Sequence, residues 1–577
     1  MTPGRTPGRA AFSSVRRWVA VAACLAWVGS ASPLAASRAP DRYPHGAVVS
    51  VDRLASQAGA DILAQGGSAA DALVATALAL VVVHPQAGNL TGGHFSLWRG
   101  ADGTREVIDA REVAPAAATP TLFLDADGQP RHDEATDSPR ASAVPGTVPG
   151  LALLHERHGR LPWRVLVKPA LLLARDGFAV SPSLATSLQR ASRRLSSDPG
   201  AQALFLPGGK PPSPGDRLVQ PALARTLAAL RDEGPVALTT GSVARQLVAD
   251  MERRGGLISA QDLAGYAAQV RAPLNRVYRG HTVLVPPPPS AGGVTLLQAL
   301  GALEAFPLEP DQKGGARLIH LQAEALRRGF VDRQHWMGDP DFVDVPVTRL
   351  LDAAHLETWR EGMRHVQATP SVDVFPDGGD HGQEGTNTTH VSVIDRWGNA
   401  VAHTTTLNRS FGTATMAVDT GLFWNDEMDD FAIAPGVPNT YAIPGSAPNA
   451  IAPGKRPVSS MTPTIVEKGG HVEFVLGTPG GATIPSSILQ VIINLVDLEA
   501  GPQEAVDAPR IHHQGLPDRL FYERHTLPPE VRAALVSQGY DLAPVGSLGD
   551  VQLLSRTPDG LILAAADPRR GGASAGH

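Results

Sequence analysis

The sequence predicts an α/β protein in which helices cover β-sheet, and three observations lead there. Apolar residues recur at helical spacing from about Leu54 to Val83, Leu151 to Arg175, Leu218 to Arg231 and Leu318 to Arg328. From Thr388 the pattern changes to the alternation of a β-hairpin. The chain also carries 59 Gly and 50 Pro among 577 residues, enough turns to join many short elements rather than a few long bundled helices. No repeat with a period of about 20 to 50 residues is present, which excludes solenoids and propellers.

In chain order, Arg5, Arg9, Arg16 and Arg17 precede an apolar run from Trp18 to Val28, with small residues ending near Ala31 or Ala36. This is the layout of an export signal, residues 1–36, and it predicts a periplasmic or secreted mature protein. The run falls short of the roughly 18 apolar residues that a membrane anchor needs. Arg16-Arg17 starts a twin-arginine pattern whose remainder is missing. Val21-Ala22-Ala23-Cys24 resembles a lipoprotein processing site, but too few apolar residues precede Cys24 to favour anchoring there. Cys24 is the only cysteine, so the mature protein would have no disulfide, cysteine nucleophile or cysteine metal site.

Ala69 to Val83 is again too short to span a bilayer and reads as a buried helix. Ser68-Ala69-Ala70-Asp71 forms its capping box and Pro85 stops it. Gln367 to Asn387 is polar and rich in Gly, Asp and Pro, an exposed linker. Beyond it, a three-residue turn at Arg396-Trp397-Gly398, with Gly398 left-handed, centres the hairpin on residue 397. That register sets Thr388 opposite Thr406 and His390 opposite Thr404, all on one face. A slip of one residue would send Thr406 to the other face. Farther on, His471 to Leu476 reads as a strand, Gly477 to Gly481 as a turn, and Ile484 to Leu498 as a helix. A strand, a glycine turn and a helix start make an anion site of converging N–H groups, although the same pattern also suits an ordinary turn.

A net charge of −6 gives no basic surface for nucleic acid, and 43% hydrophobic with 18% charged residues is usual for a globular enzyme. A threonine hydroxyl becomes a nucleophile when a base takes its proton, and the simplest base is its own α-amine once it is N-terminal. Thr388 opens a strand directly after a flexible linker, so cleavage of Asn387–Thr388 would expose that amine at a sheet edge. Thr406 could then hydrogen-bond the hydroxyl or amine and fix its rotamer. Threonines are also common simply as strand formers.

TTHVSVIDRWGNAVAHTTTLNRSFG (388–412), NDEMDDFAIAPGVPN (425–439), KRPVSSMTPTIV (455–466) and GTPGGA (477–482) together resemble the small subunit of the gamma-glutamyltranspeptidase family of N-terminal nucleophile hydrolases. GADILAQGGSAADALVATALAL, HPQAGNL, DAREVAP, AVPGTVPG and GDPDF resemble its large subunit in the same order. The resemblance implies a four-layer αββα sandwich made by one precursor, cut into residues 37–387 and 388–577, with both subunits in one domain. It implies a glutathione hydrolase or gamma-glutamyltransferase in which Thr388 attacks the γ-carbonyl of a γ-glutamyl amide such as glutathione. Water, an amino acid or a dipeptide would take the acyl group, and no cofactor or metal is implied. Gly480 and Gly481 match the family's oxyanion hole. Arg111, Ser459 and Ser460 match the groups that bind the substrate α-carboxylate, and Asn408, Glu427 and Asp430 those that hold its ammonium. Residues 435 to 455 retain a covering loop that includes Tyr441. His94 departs from the family's glycine run at Thr91-Gly92-Gly93.

Three rivals remain. A glutaryl or cephalosporin-type acylase of the same fold would share Thr388 without needing the ammonium contacts, and Asn408 with Asp430 argues against it. A metal hydrolase is disfavoured because His155-Glu156-Arg157-His158 lacks the HExxH spacing and His512-His513 are adjacent. The third is an unprocessed periplasmic protein that binds amino acids without catalysis.

Overall fold

The hairpin at Thr388 organises the molecule. Strands Thr388–Ile394 and Ala400–Thr406 pair antiparallel, with Thr388 opposite Thr406 and His390 opposite Thr404, as the turn predicts. Gly398 has φ of 88°, and the Asp395 carboxylate accepts from the Trp397 and Asn399 N–H groups, which locks the turn and hence the register. The computed structural model describes residues 38–363, 365–374 and 388–577, and Pro40–His577 fold together. The signal segment with Cys24, and Asn387 of the junction, lie outside the described residues.

The hairpin sits inside a seven-stranded sheet, ordered Ala573–Gly576, Ala47–Ser50, Thr388–Ile394, Ala400–Thr406, Gly93–Arg99, Arg105–Ala110 and Gln269–Arg271. A second seven-stranded sheet runs Asp41–Tyr43, Ile562–Ala566, Gln552–Arg556, His471–Gly477, Thr464–Lys468, His281–Val285 and Leu274–Tyr278. Each sheet thus mixes strands from before and after Thr388.

Alternation divides the hairpin between two cores. Val391, Val393 and Val401 pack with helices Arg53–Ala64, Ala69–Val83 and Trp163–Asp176. Ile394, Ala400 and Ala402 face the second sheet, whose other side carries helices Ala291–Leu303 and Ile484–Val496. The result is a four-layer αββα sandwich. Ala69–Val83 has the expected capping box, Ser68 with Asp71, and every one of its residues is buried. The periodic stretch from Leu54 to Val83 divides into helices Arg53–Ala64 and Ala69–Val83 at Gly66-Gly67, where Gly66 has φ of 89°. Helix Ile484–Val496 ends two residues before the expected Leu498, and the strand before it extends to Gly477.

Candidate active site

The hairpin register brings Thr388 and Thr406 to the mouth of the space between the sheets, both almost fully buried. The Thr388 hydroxyl points to the Thr406 hydroxyl at 3.5 Å, the outer limit of a hydrogen bond. Thr406 Oγ1 also accepts from the Asn408 N–H at 2.9 Å, so one hydroxyl ties the hairpin to the loop after it. Asn408 adopts φ of 71°, a left-handed conformation that Asn tolerates better than most residues. Its amide nitrogen donates to the Asp426 carbonyl at 3.0 Å, while its Oδ1 is buried without a partner among the described residues.

Behind Thr388, His390 shares hydrogen bonds with Thr404 at 2.8 Å and Ser392 at 3.0 Å. Burial lowers this imidazole to about 3, so it is neutral and serves as a spacer between the sheets. The ring lies against Gly477, where any side chain would collide with it. His94 does not reach the site. It stands on the opposite face, beside His403 and the helix at Gly150.

Strand His471–Gly477 leads into Gly480 and Gly481, with φ of 143° and 54°, directly before helix Ile484–Val496. Both values lie where glycine is at ease, and a side chain on Gly481 would strike the Tyr441 ring. No turn or helix bond among the described residues uses either N–H, which leaves a pair of donors beside the helix start. Tyr441 closes the space from above, its hydroxyl donating to the Asn408 carbonyl at 2.7 Å. Gln514 holds the Tyr441 carbonyl at 3.0 Å.

The charged wall comes from distant segments. Arg111 follows strand Arg105–Ala110, is fully buried, and pairs with Glu112 at 3.0 Å, Glu427 at 2.6 Å, and Asp430. Burial disfavours its charge, and Glu427, Glu112 and Asp430 more than reverse that, raising it above the usual arginine range. Glu427 is pushed well up by burial against the pull of Arg111, and its Oε1 lacks a partner among the described residues. Burial, then Asp426 and Asp430, raise Asp429 to about 8, so it holds a proton at neutral pH and leaves the charge to its neighbours. Ser459 is pinned beside helix Ala291–Leu303 by a backbone bond to Pro289 at 2.9 Å, and the Ser460 hydroxyl accepts from Arg333 at 2.9 Å.

One small cavity is lined by Thr388, Thr406, Asn408, Asp430, Tyr441, Ser459, Ser460, Gly481 and Arg333. Arg111 stands behind this lining and braces Asp430. A much larger cleft, about 830 Å³, is lined by Arg53, Arg190, Arg194, Arg569 and Arg570. It contains none of these residues, so convergence of chemistry rather than volume locates the site. Sequence reading missed Arg333, Glu112 and Asp429. The available signal for Arg333 was its position on the buried face of helix Ala316–Trp336, in line with Leu326, Gly329 and Phe330.

A neutral buried network, a paired threonine at a strand start, free N–H donors, and both signs of charge in one pocket suit acyl transfer from an amino-acid-like substrate. The family model for gamma-glutamyltranspeptidase matches residues 55–577. The glutathione hydrolase proenzyme of Escherichia coli strain K12 is 43% identical over 531 residues, 92% of this chain and 91% of that one. The acylase ACY 1 proenzyme of Pseudomonas sp. strain SE83 is 38% identical over 534 residues, covering 91% and 92%. Among solved structures, a cephalosporin acylase from Bacillus halodurans superposes with a TM-score of 0.83 at 27% identity, over 96% of this chain and 99% of that one. Helicobacter pylori gamma-glutamyltranspeptidase gives 0.54 at 37% identity over 55% of this chain and 92% of that one.

Proposed function

Because the chain belongs to the gamma-glutamyltranspeptidase family, we propose that it is a self-processing γ-glutamyl hydrolase and transferase with Thr388 as nucleophile. The observation that carries this is the pairing of Thr388 with Thr406 at a strand start, in one cavity with Gly481 of the glycine turn.

In the precursor the Thr388 hydroxyl attacks the Asn387 carbonyl, and the resulting ester hydrolyses to release residues 388–577 with a free amine. In turnover that amine takes the hydroxyl proton as Thr388 attacks the γ-carbonyl of a γ-glutamyl amide such as glutathione. The N–H groups of Gly480 and Gly481 stabilise the oxyanion, and collapse expels the leaving amine, which takes the proton. Water, or the amine of an amino acid or dipeptide, then attacks the γ-glutamyl-threonyl ester. Tyr441 covers the pocket during these steps.

The pocket's charges support selection of the γ-glutamyl group by its α-substituents. The free oxygens of Asn408 and Glu427, with Asp430, suit the ammonium. Ser459 and Ser460 suit the carboxylate, with Arg111 supplying positive charge behind them. These three ammonium partners favour a γ-glutamyl over a glutaryl substrate and so separate this reading from the acylase reading. Export through residues 1–36 would place the processed pair in the periplasm or outside the cell.

The test is a denaturing gel of purified protein with N-terminal sequencing of the smaller fragment, alongside turnover of a γ-glutamyl anilide. A fragment beginning Thr388-Thr389-His390 and release of the aniline are expected. An intact single chain without turnover would leave the amino-acid-binding reading in its place.

A further inference from the structure

The large cleft of about 830 Å³ is separate from the Thr388 cavity, and its charge is one-sided: five arginines line it against one carboxylate, Asp52. Two of the five are committed to the fold. Arg194 donates to the Ser410 carbonyl at 3.0 Å and pairs with Asp137, and Arg569 grips Glu523 at 2.6 and 2.7 Å. The other three, Arg53, Arg190 and Arg570, make no hydrogen bond or ion pair among the described residues. Arg53 and Arg190 are exposed and Arg570 is half-buried. Burial lowers Arg570, Asp550 and Asp567 oppose this, and the like charge of Arg190 adds to the lowering. The free protein thus holds cations against one another in a space large enough for an anion to enter.

Two helix starts open onto the same cleft. Helix Pro182–Leu195 brings Ser183, Ser187 and Arg190 to it, and the Ser183 N–H in its first turn has no backbone acceptor among the described residues. Helix Arg53–Ala64 begins with Arg53, where a positive charge opposes the helix dipole and so does nothing for the helix itself. A bound anion would give that charge a purpose. His84 also lines the cleft and is only 4% exposed. Burial, then Arg570, lowers it to about 3, so the ring is neutral. Its Nδ1 accepts from the Gln86 amide at 2.8 Å, which leaves the proton on Nε2, a buried donor with no partner among the described residues.

Forked guanidinium groups, serine hydroxyls and helix N-termini are the groups that bind phosphate. The free cations come from three separate segments, and the volume far exceeds one phosphate, so the fitting anion carries several. No Phe, Tyr or Trp among the described residues lines the cleft, which offers a nucleobase nothing to stack on. We propose that the cleft binds a non-aromatic small molecule with two or more phosphate groups, held by Arg53, Arg190 and Arg570 and by the Nε2–H of His84. The γ-glutamyl reading neither requires this site nor depends on it.

The test is calorimetric titration of the purified protein with inorganic tripolyphosphate, near neutral pH and in about 0.15 M NaCl so that diffuse attraction is screened. Saturable binding in the micromolar range is expected, with orthophosphate at least about tenfold weaker. Butane-1,2,3,4-tetracarboxylate, of comparable charge without phosphate, should also bind at least about tenfold more weakly. Arg53→Gln and Arg190→Gln each remove one charged donor from an exposed position, and each should weaken tripolyphosphate about tenfold. Arg570→Gln should weaken it at least as much; the two exposed variants carry the test if this one does not fold. Absence of tripolyphosphate binding, or binding that none of the variants weakens, overturns the proposal. Equal affinity for the tetracarboxylate overturns the assignment to phosphate, and equal affinity for orthophosphate overturns the requirement for more than one phosphate group.

Discussion

The pocket has two walls built on different principles. The hairpin wall, Thr388 with Thr406, is assembled from residues on adjacent strands joined by one tight turn. The charged wall takes Arg111 from the end of one strand, Glu427 and Asp430 from a short turn, Ser459 and Ser460 from a loop, and Arg333 from a helix. The first wall is fixed by backbone pairing, and its side chains need only stand on the correct face. The second is fixed by side chains that hold one another through buried ion pairs, so its members are mutually dependent. Losing chemistry on the first wall should stop the reaction, whereas losing a charge on the second should change which substrate is accepted.

The largest effect should fall on Thr388, the proposed nucleophile. Thr388→Ala should remain a single chain and lose all turnover, because only residue 388 has both the linker's scissile carbonyl before it and, once cut, a free α-amine beside its hydroxyl. A cut Thr388→Ala protein, in a preparation free of proteases, would move the nucleophile off the hairpin wall. The fold itself should persist, since Ala removes little volume from this cavity.

Asp430→Asn tests the second wall. An unmatched buried ammonium costs about 3–5 kcal/mol, a hundredfold or more in kcat/KM. The loss should appear with γ-glutamyl anilide and be much smaller with the glutaryl analogue. Asp430 also pairs with Arg111, so its removal frees a donor that a glutaryl carboxylate can use. Equal losses on both anilides would make Asp430 part of the scaffold, and the acylase reading would then describe the protein better.

How much of each wall was legible in the sequence follows from the same difference. Gly398 and the Asp395 to Asn399 turn determine the register from a few neighbouring residues, so Thr388 and Thr406 could be paired by counting. Ser68 with Asp71 likewise fixes a helix start locally. Family motifs carried Arg111, Asn408, Glu427, Asp430, Ser459 and Ser460 to the pocket region, but no local rule says which carboxylate an arginine meets. That Arg111 arrives already paired, and that Arg333 lines the same pocket, depends on how a helix packs across a loop far along the chain. His94 is the converse case, since strand alternation places it on the face away from Thr388 and its motif position alone did not.

The buried histidines give an effect on stability rather than chemistry. Burial, with no opposing charge, lowers His390 to about 3, whereas an unfolded chain binds the proton near pH 6.5. The folded state therefore holds fewer protons in this window, and His390 contributes stability that is complete above about pH 6.5 and lost as pH falls toward 3. The slope is at most about 1.4 kcal/mol per pH unit. Raised carboxylates such as Asp429 act in the opposite sense, so a difference between proteins is the clean measure. In the uncut Thr388→Ala background, urea unfolding from pH 7 to pH 4 should lose stability more steeply with His390 present than with His390→Gln. Equal slopes would mean that the imidazole is not held neutral between the sheets.

The smallest effect should come from Thr406→Ala, and it separates the hydroxyl's two contacts. The bond from Thr388 is long, 3.5 Å, and one such neutral bond is worth about 0.5–1.5 kcal/mol, so processing and turnover should slow by roughly tenfold at most. The second contact, from the Asn408 N–H at 2.9 Å, is shorter and buried, and leaving that donor unmatched costs about 1–3 kcal/mol. Asn408 also carries the free Oδ1 that suits the ammonium, so the damage can reach the charged wall through the loop. Thr406→Ser keeps the hydroxyl and removes one methyl, and it should restore both processing and turnover. If Thr406→Ala slows self-cleavage and γ-glutamyl turnover equally, its role is to orient Thr388. If turnover falls more than cleavage, and falls least with the glutaryl analogue, its larger role is to hold Asn408, and the two walls meet at this residue. Unchanged rates for both steps would show that the 3.5 Å contact does nothing for the nucleophile.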